Sequence, residues 1–291
     1  MTVIRDALEA AARALEGAGI AGAKAEARAL AAFVTGLTPA QIFSRDYTEL
    51  SDADAARFDA VIRRRITGEP AAYIIGLREF WSLPFKVTPA TLIPRPDTES
   101  VIELVMQLFA DRARPQRILD IGTGSGCLVL ALLDIYADAC GIGTDISAPA
   151  LSVASENAKA LGLSDRATMI EGAWSAQQAG PFDLIVSNPP YIPSPDIATL
   201  EPTVRAFEPL SALDGGADGL DAYRNVLAEV PDILSNAGWV VLEVGIHQAD
   251  PVTEIARNLG LVEGPRQCDI AGIDRALSFH KKSVGILGGS G

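Results

Sequence analysis

The sequence NPPY consists of Asn188, Pro189, Pro190 and Tyr191, and it directly follows the apolar run FDLIVS. A proline has no N–H to donate and fixes its own backbone angle, so the two prolines present carbonyl acceptors in a rigid turn. The side chain of Asn188 adds another carbonyl oxygen. Together these oxygens can accept both hydrogens of a planar –NH2 group, while the ring of Tyr191 packs against the flat face of that group. The motif therefore predicts a binding site for an amide or an aromatic amine.

The nitrogen of an amide or an aromatic amine is a poor nucleophile, because its lone pair is delocalised. Two fixed acceptors can hold such a nitrogen, favour tetrahedral geometry and stabilise the positive charge that develops as it attacks an electrophilic carbon. No strong base is needed if the electrophile is reactive and well positioned. We predict catalytic roles for Asn188, Pro189 and Tyr191, and substrate contacts for all four residues of the motif. The simpler alternative is that NPPY only ends a strand.

A glycine-rich turn lies between a predicted strand and a predicted helix in ILDIGTGSGCLVLAL, residues 118–132. Glycines at alternate positions let the backbone bend tightly and come close to a ligand. Alone, this pattern is weak evidence, since dinucleotide-binding proteins and methyltransferases share it. The residues of this turn that are predicted to contact a cofactor are Gly122, Thr123, Gly124, Ser125 and Gly126.

Two acidic residues favour a methyl-donor cofactor over a dinucleotide. Asp120 precedes the glycines, where a carboxylate suits a cationic ligand better than a pyrophosphate. Asp145 lies at the end of the next predicted strand, in GTDIS, where it can accept both hydroxyls of a ribose. S-adenosylmethionine combines a ribose, an adenine and a sulfonium, and it is therefore the predicted cofactor. In the alternative interpretation the two aspartates only cap turns.

Trp174 follows the third predicted strand, in EGAWS, and its indole is a candidate to pack on the adenine. A tryptophan at this place is as readily a core residue, so both interpretations stay open. Ala173 occupies the position where many methyltransferases have an acidic side chain near the adenine amine, which leaves the recognition of the adenine edge unexplained. Asn188 completes the predicted cofactor contacts.

The elements that would carry these residues alternate from about Pro94 onward. The predicted strands are RILDI, CGIGT, ATMIE, FDLIVS and WVVLEV, and helical stretches separate them. Such alternation implies right-handed βαβ crossovers and a parallel-type sheet covered on both faces, so the predicted fold class is α/β. Ligands of open sheets bind at the carboxyl ends of the strands, where the glycine turn, Asp145 and Asn188 are expected.

The first part of the chain has a different pattern. Apolar residues recur at helical spacing from Ile4 to Leu15, and SDADAARFDAVIRRRITGEP has an N-cap serine and a glycine stop. The next stretch, AYIIGLREFWSLPFKVTP, mixes β-branched and aromatic residues with Gly and Pro, which predicts a hairpin or an extended linker. The predicted parts are a helical domain at 1–72, a hairpin linker at 73–94, a catalytic domain at 95–282 and a flexible tail at 283–291.

The net charge of the 291-residue chain is −13 and is unevenly distributed. Residues 1–90 carry 11 basic and 11 acidic residues, so the whole net charge lies in residues 91–291. An acidic body repels phosphate backbones, which argues against general nucleic-acid binding. The sequence has no apolar run long enough to span a membrane and begins without the apolar core of a signal peptide. A cytoplasmic location is therefore predicted.

Cysteine and histidine are scarce in this sequence. Cys127, Cys140 and Cys268 are widely spaced, and His247 and His280 are the only histidines. The spacing predicts buried reduced thiols rather than disulfides or a metal site. The two histidines lack ligand-like neighbours, which argues against a zinc centre or a Ser-His-Asp triad.

Four stretches together resemble one family. DIGTGSG, FDLIVSNPPYIP, GEPAAYIIGLREFW and TLIPRPDTE are similar to the release factor glutamine methyltransferases. NPPY alone is shared with DNA adenine methyltransferases, whereas LIPRPDTE combined with the GEPxxYIxG stretch is far more specific. The resemblance extends to about His280. It implies a class I S-adenosylmethionine-dependent methyltransferase domain, with a Rossmann-like seven-stranded sheet, behind a small N-terminal helical domain that engages the protein substrate.

The activity that the resemblance implies is methylation of a side-chain amide nitrogen (N5). The substrate would be the glutamine in the Gly-Gly-Gln motif of class I peptide-chain release factors. The alternative enzyme class is N6-adenine methylation of DNA or RNA, which needs a basic groove and usually a large target-recognition insert. Only a short segment separates NPPYIP from EPTVRAFEP, and the catalytic part is acidic. We therefore expect no direct nucleic-acid binding.

Three further stretches carry no predicted chemistry. Glu208-Pro209 and LDGGADGLDAYR, residues 213–224, also resemble stretches of the family. Arg63, Arg64 and Arg65 form a basic run that fits either a solvated helix face or a docking surface for a partner. The solvated face is the favoured interpretation.

Overall fold

The chain forms two compact units in the computed structural model. The described residues are 2–44, 47–175, 178, 180–269 and 271–282. The first unit comprises Met1–Leu77 with Glu201–Phe207, and the second comprises Arg78–Leu200 with Glu208–Gly291. The predicted flexible tail, 283–291, lies outside the described residues. Among the helices that are described, none has both the length and the hydropathy that a membrane span requires.

The first unit is helical, as its apolar periodicity predicts. Its helices are α1 (Ile4–Gly17), α2 (Ala23–Thr35), α3 (Pro39–Ser44), α4 (Asp52–Ile66) and α5 (Ala71–Ile75), and the short strands β1 (Thr2–Val3) and β2 (Glu49–Leu50) pair antiparallel. Ser51 caps α4, because its hydroxyl accepts a hydrogen bond from the N–H of Asp54. The apolar faces of the helices meet in one core around Leu15, Leu30 and Phe58.

The basic run at the end of α4 has acidic partners inside this unit. The ion pairs are Arg63 with Asp59, Arg64 with Glu69 and Arg65 with Glu26. Arg63 and Arg64 lie on the exposed side of the helix, in agreement with the favoured interpretation. Arg65 is buried instead, and its guanidinium is 2.6 Å from the carboxylate of Glu26.

A hairpin begins the second unit. Its strands β3 (Leu77–Phe80) and β4 (Leu83–Lys86) pair with each other. The turn between them has two residues with positive φ, Trp81 at 50° and Ser82 at 61°, as a tight two-residue hairpin turn requires. Phe80 and Phe85 are buried in the core of the second unit. The hairpin is therefore a packed part of this unit and not a free linker.

A seven-stranded sheet forms the centre of the second unit, as the family resemblance implies. Its strands are β5 (Arg117–Ile121), β6 (Cys140–Asp145), β7 (Ala167–Glu171), β8 (Phe182–Ser187), β9 (Leu234–Glu243), β10 (Leu261–Cys268) and β11 (Asp274–Lys281), in the order β10-β11-β9-β8-β5-β6-β7. The pairs among β5 to β9 are parallel. The last two strands, β10 and β11, run antiparallel and are not among the strands predicted from the sequence.

Helices cover both faces of this sheet. They are α6 (Glu99–Leu108), α7 (Cys127–Ile135), α8 (Ala148–Ala160), α10 (Asp221–Ile233) and α11 (Ala249–Asn258), whereas α9 (Pro202–Phe207) belongs to the first unit. Ile118 and Leu119 are neighbours in β5 but belong to different apolar clusters. Since successive strand residues point to opposite faces, the two clusters lie on opposite sides of the sheet.

The strand order reverses at β5, which places a ligand crevice there. The chain runs outward from β5 through β6 to β7 and then returns to β8 on the other side of β5. In open α/β sheets, the point at which the order reverses leaves a crevice at the carboxyl ends of the strands. The glycine turn after β5, Asp145 at the end of β6 and Asn188 after β8 all lie at this edge.

The prediction of buried thiols is wrong for two of the three cysteines. Cys140 and Cys268 are exposed, and Cys127 is half-buried. Cys140 is the first residue of β6 and Cys268 the last residue of β10, so both lie where a strand meets solvent.

Candidate active site

One cavity at the carboxyl ends of β5, β6 and β8 brings most of the predicted site residues together. The predicted residues in its lining are Gly122, Thr123, Gly124, Ser125, Asp145, Trp174, Asn188, Pro189 and Pro190. Gly126 and Tyr191 are not among the residues that line it. The predicted cofactor and substrate residues therefore share one cavity within the second unit.

The glycine turn is held by the neighbouring strand. The backbone N–H groups of Gly122 and Thr123 both donate to the carbonyl oxygen of Thr144, each at 2.9 Å. Gly122 has φ 74° and Gly124 has φ 56°, a left-handed conformation that favours glycine. The turn can therefore bend sharply out of β5 and expose its backbone to a ligand.

Gly126 has a packing role in this structure. It is the N-cap residue before α7 and has φ 82°. A Cβ atom at this position would lie 3.0 Å from Leu130 and 3.3 Å from Ala154. The absence of a side chain thus lets α7 approach α8 closely, and a contact of Gly126 with the cofactor stays a prediction.

Asp145 links the end of β6 to the glycine turn. One carboxylate oxygen, Oδ2, accepts from the N–H of Gly124 at 2.9 Å, and the other, Oδ1, accepts from the N–H of Ser147 at 2.9 Å. A carboxylate can accept about four hydrogen bonds. Two acceptor positions therefore remain for the two hydroxyls of a ribose.

Asp120 is buried beneath the turn. Its Oδ2 accepts from the hydroxyl of Thr123 at 2.6 Å and from the N–H of Val129 at 3.3 Å. Its Oδ1 has no hydrogen-bond partner among the described residues. Burial raises the pKa of Asp120 to about 7. An acceptor of this kind in the cavity lining fits a cationic ligand, because a nearby positive charge would favour the ionised carboxylate.

The side chain of Trp174 lies between the core and the cavity. It packs against the apolar cluster around Tyr223 and Val226, and it also lines the cavity beside Ala173. Its backbone has φ 51°, and its carbonyl oxygen accepts from the hydroxyl of Thr144 at 2.5 Å. Stacking of its indole on an adenine stays a prediction.

Asn188 is the first residue after β8, and one end of its amide is fixed. Its Nδ2 donates to the hydroxyl oxygen of Thr98 at 3.2 Å. Thr98 ends a single 3-10 turn, Pro96–Thr98, and is only 2% exposed. Because the nitrogen is directed toward Thr98, the oxygen of the amide lies at the opposite end of the group. Both residues line the cavity.

The backbone carbonyls of NPPY are not equivalent. That of Tyr191 accepts from Nε2 of Gln248 at 2.9 Å. That of Pro190 faces the backbone of Gly215, where a Cβ atom would lie 2.8 Å from it. The carbonyl of Pro189 is therefore the best placed of the three to serve a ligand.

The side chain of Tyr191 is turned away from the cavity. Its hydroxyl lies 3.5 Å from Oε1 of Glu243, and its ring packs against the apolar cluster on the α10 side of the sheet. Burial raises the pKa of Tyr191 above its ordinary value. Contact of this ring with a substrate stays a prediction.

The stretch LDGGADGLDAYR supports the turn. Ile192 donates to the carbonyl of Leu213 at 3.0 Å, and Gly215 donates back to the carbonyl of Ile192 at 2.8 Å. A Cβ atom at Gly219 would lie 2.5 Å from the carbonyl oxygen of Tyr191. The glycines of this stretch let two backbones meet, which fixes the path of the chain after NPPY.

The stretch LIPRPDTE anchors Thr98 through its polar residues. Glu208 accepts from the N–H of Ile93 at 3.3 Å and forms an ion pair with Arg95. Two further residues of the stretch are also held: Asp97 forms an ion pair with Arg275 at 3.2 Å, and Glu99 accepts from the N–H of Trp81 at 3.0 Å. The segment is thus tied to distant parts of the second unit.

Glu243 is a buried acid that the motifs do not reveal. It is the last residue of β9 and is 1% exposed. Burial raises its pKa to about 7, while a hydrogen bond from Thr98 and the charge of Arg275 act in the opposite direction. A lone acid at the end of the apolar strand WVVLEV is the sequence signal that could have identified it.

Comparisons with known proteins place the chain in a family. Residues 6–76 match the family described as the PrmC N-terminal domain, and residues 97–200 match the methyltransferase small domain. A release factor glutamine methyltransferase of Rhodospirillum rubrum is 45% identical, covering 94% of this chain and 83% of the relative. One of Bradyrhizobium diazoefficiens is 44% identical, covering 96% of this chain and 95% of the relative. The chain belongs to the release factor glutamine methyltransferase family.

Membership in this family confirms the predicted enzyme class and fold. The chain is an S-adenosylmethionine-dependent methyltransferase with a Rossmann-like sheet. The catalytic domain of hMettl16, solved with a hairpin of the MAT2A 3′UTR, has a TM-score of 0.59 and 19% identity over 73% of this chain and 80% of that chain. At this identity the likeness shows the shared fold alone. The acceptors of Asp145 and Asp120 fit the ribose and the cationic part of the cofactor.

Proposed function

We propose that the enzyme transfers a methyl group from S-adenosylmethionine to N5 of the glutamine in the Gly-Gly-Gln motif of class I peptide-chain release factors. The names of the relatives support this substrate. The structural observation that supports the reaction is that Asn188 and Pro189 line the same cavity as the glycine turn and Asp145. The cytoplasm, where translation takes place, is the proposed location.

The proposed cofactor contacts follow from the acceptors described above. S-adenosylmethionine supplies a reactive methyl group on a positively charged sulfur. Asp145 accepts the ribose hydroxyls, and the backbone of Gly122 to Gly126 allows the close approach. Trp174 packs on the adenine, and Oδ1 of Asp120 faces the positive charge of the ligand. With two carboxylates in the lining, the site favours a cation over a pyrophosphate.

The proposed target contacts come from Asn188 and Pro189. The side-chain oxygen of Asn188 and the carbonyl oxygen of Pro189 each accept one N–H of the glutamine amide. These two bonds hold the nitrogen and stabilise the positive charge that grows on it during transfer. Neither acceptor is a strong base, so the contribution of the site is position and electrostatics. Tyr191 supports the turn from behind.

Methylation of adenine in DNA or RNA is the alternative that the same motif allows. The excess of acid lies in residues 91–291, which does not favour a phosphate backbone. The decisive experiment offers labelled S-adenosylmethionine with a class I release factor, the same factor with Gln→Ala in its Gly-Gly-Gln motif, and DNA or RNA. We expect label only in the unmodified release factor. Label in nucleic acid, or in the Gln→Ala factor, would refute the proposed substrate.

We further propose that the first unit engages the protein substrate. Its support is its separate core and its balanced charge, which differ from those of the acidic second unit. A truncated chain should begin at Arg78, because a start near Phe85 would remove Phe80 from the core of the second unit. The truncated enzyme, if folded by circular dichroism, should bind cofactor normally and methylate release factor poorly. Undiminished methylation would contradict this role.

A further inference from the structure

The side-chain amide of Asn188 has two ends with opposite hydrogen-bonding character. Under the proposed function only its oxygen can accept an N–H of the glutamine, whereas its nitrogen would repel that group. Rotation of the amide by a half turn would exchange the two ends at little cost unless a neighbour discriminates between them. Catalysis therefore needs a group that selects one orientation.

Thr98 is placed to make this selection. Its hydroxyl oxygen accepts from Nδ2 of Asn188 at 3.2 Å. A hydroxyl has one hydrogen to donate, and the buried carboxylate of Glu243, whose pKa Thr98 lowers, is the acceptor proposed for the hydrogen of Thr98. With its hydrogen committed, Thr98 can offer Asn188 only a lone pair. It then favours the nitrogen end of the amide over the oxygen end.

Glu243 lies in the correct place to hold the hydrogen of Thr98. In the sheet, Ser187 of β8 pairs with Leu242 of β9, so Asn188 and Glu243 are the next residues of two neighbouring strands. Glu243 is buried, and its Oε2 has no hydrogen-bond partner among the described residues. The carboxylate therefore has acceptor capacity to spare for the hydroxyl.

We infer that Thr98 and Glu243 are positioning residues that fix the orientation of the Asn188 amide, so that its oxygen meets the glutamine nitrogen. This inference rests on the proposed role of Asn188. It also assigns a task to the stretch LIPRPDTE, whose anchors to Glu208, Arg275 and Trp81 keep Thr98 in place. The stretch then holds Thr98 in position for its hydrogen bond with Asn188.

The protonation state of Glu243 should control this orientation. A protonated Glu243 can donate its own hydrogen to Thr98, which frees the hydroxyl to donate to the oxygen of Asn188 and reverses the amide. Burial raises the pKa of Glu243 to about 7. The titratable groups that face it from the surrounding elements are Asp97, Cys127, Tyr191, Tyr223 and Arg275. The rate of transfer should fall as the pH is lowered through this range.

The first test compares Thr98→Val with Thr98→Ser in single-turnover methyl transfer to a release factor. The valine variant keeps the shape and loses the hydroxyl, so we expect a rate about tenfold lower, which corresponds to the loss of one hydrogen bond. The serine variant should keep most of the rate. Affinity for S-adenosylmethionine should stay within about twofold in both. Equal rates in all three enzymes, or equal losses in both variants, would overturn the inference.

The second test measures the rate as a function of pH for wild type and Glu243→Gln. At saturating S-adenosylmethionine, whose positive charge favours the ionised form of Asp120, the wild-type rate should rise with pH and level off above about pH 8, and this rise should be absent in the glutamine variant. A merely structural role would lower the rate by the same factor at every pH. Persistence of the rise in Glu243→Gln would overturn the inference. If this variant does not fold, the Thr98 pair decides alone.

A control separates this inference from the proposed function. Thr253→Val removes a buried threonine hydroxyl from α11, away from the cavity, and should leave the rate unchanged. If wild type methylates the release factor and Thr98→Val does so equally well, only the orientation of Asn188 is refuted. If wild type leaves the release factor unlabelled, the proposed function itself fails.

Discussion

The two sides of the cavity are built from different kinds of sequence. Apart from Trp174, the cofactor side comes from one stretch, Arg117 to Asp145, and is held by backbone hydrogen bonds from the glycine turn to β6. The target side begins with four residues, but its supports come from Thr98, Glu208, Glu243 and other distant positions. One side is local and the other is assembled from the whole second unit.

This difference predicts how the two sides respond to amino-acid substitutions. A local turn depends on its own glycines and on one neighbouring strand, so substitutions elsewhere should disturb it little. The target side depends on contacts that form only when the second unit is fully packed. Substitutions far from NPPY in sequence should therefore reduce the rate of transfer while cofactor affinity is preserved.

The largest expected effect is that of Asn188→Ala. Loss of a preorganised polar group at a developing charge typically lowers a rate by about 10²–10³-fold. Affinity for S-adenosylmethionine should change much less, because its contacts come mainly from the other side of the cavity. Single-turnover methyl transfer and calorimetry measure the two quantities. The control is Asn225→Ala, an exposed asparagine of α10. A near wild-type rate for Asn188→Ala would show that the target side has been misassigned.

The second prediction concerns stability and Glu243. Its pKa is about 7 in the folded protein against 4.5 for the free group, so the folded state binds the proton more tightly. The free energy of unfolding should therefore fall as the pH rises from about 4.5 to about 7, and then level off. Glu243→Gln should remove up to about 3 kcal/mol of this fall. Asp120 also lowers the free energy of unfolding as the pH rises, and it does so in both wild type and Glu243→Gln. Urea unfolding at several pH values gives the difference, and parallel curves would contradict the buried charge.

The third prediction tests the cofactor side. Asp145→Ala removes the acceptors that hold the N–H groups of Gly124 and Ser147 and that are proposed to bind the ribose. Affinity for S-adenosylmethionine should fall by about tenfold or more, since hydrogen bonds to a charged group are worth roughly 1.5–3 kcal/mol each. Asp165→Ala, an exposed aspartate outside the cavity, is the control. Unchanged binding in calorimetry would remove Asp145 from the cofactor site.

The smallest expected effect is that of Arg95→Met. Among the described residues, it leaves the buried carboxylate of Glu208 with the N–H of Ile93 as a hydrogen-bond donor. Because Arg95 is partly exposed, water can replace some of the lost interaction, and we expect destabilisation of about 1–2 kcal/mol. The rate of transfer should fall with it, whereas cofactor affinity should not. Arg224→Met breaks two exposed ion pairs and should change both quantities little. If Arg95→Met behaves in the same way, the anchor at Glu208 is dispensable.

The sequence was sufficient to bring together the residues of the proposed cofactor side, because each of its features is local. A strand followed by glycines, and an aspartate at the end of the next strand, can be recognised without knowing what lies beside them. RILDI, ATMIE and FDLIVS form the strands β5, β7 and β8 with these bounds. The target motif was recognised for the same reason, because NPPY is a local signal for a rigid turn of acceptors.

The parts that escaped prediction depend on long-range contacts. Thr98 and Asn188 are 90 positions apart, and the local sequence around each of them does not indicate that their side chains meet. The strand β10 was missed because Gly264 and Pro265 interrupt it, and its register with β11 shifts at this point. Proline is tolerated there because β10 is an edge strand. Local patterns carry no information on such pairings.

The pairing of β5 with β8 sets the distance between the cofactor side and the target side of the cavity. Ile121 and Ser187 pair across these strands, so Gly122 and Asn188 each begin one residue beyond a shared rung of the ladder. Adjacent strands are about 4.8 Å apart, a spacing that backbone hydrogen bonds set and side chains cannot alter. Substitutions in the sheet can therefore lower the stability of the fold without changing the distance between the ends of β5 and β8, which carry the glycine turn and Asn188. An insertion of one residue into β8 would do the reverse, since it would turn Asn188 to the opposite face of the sheet.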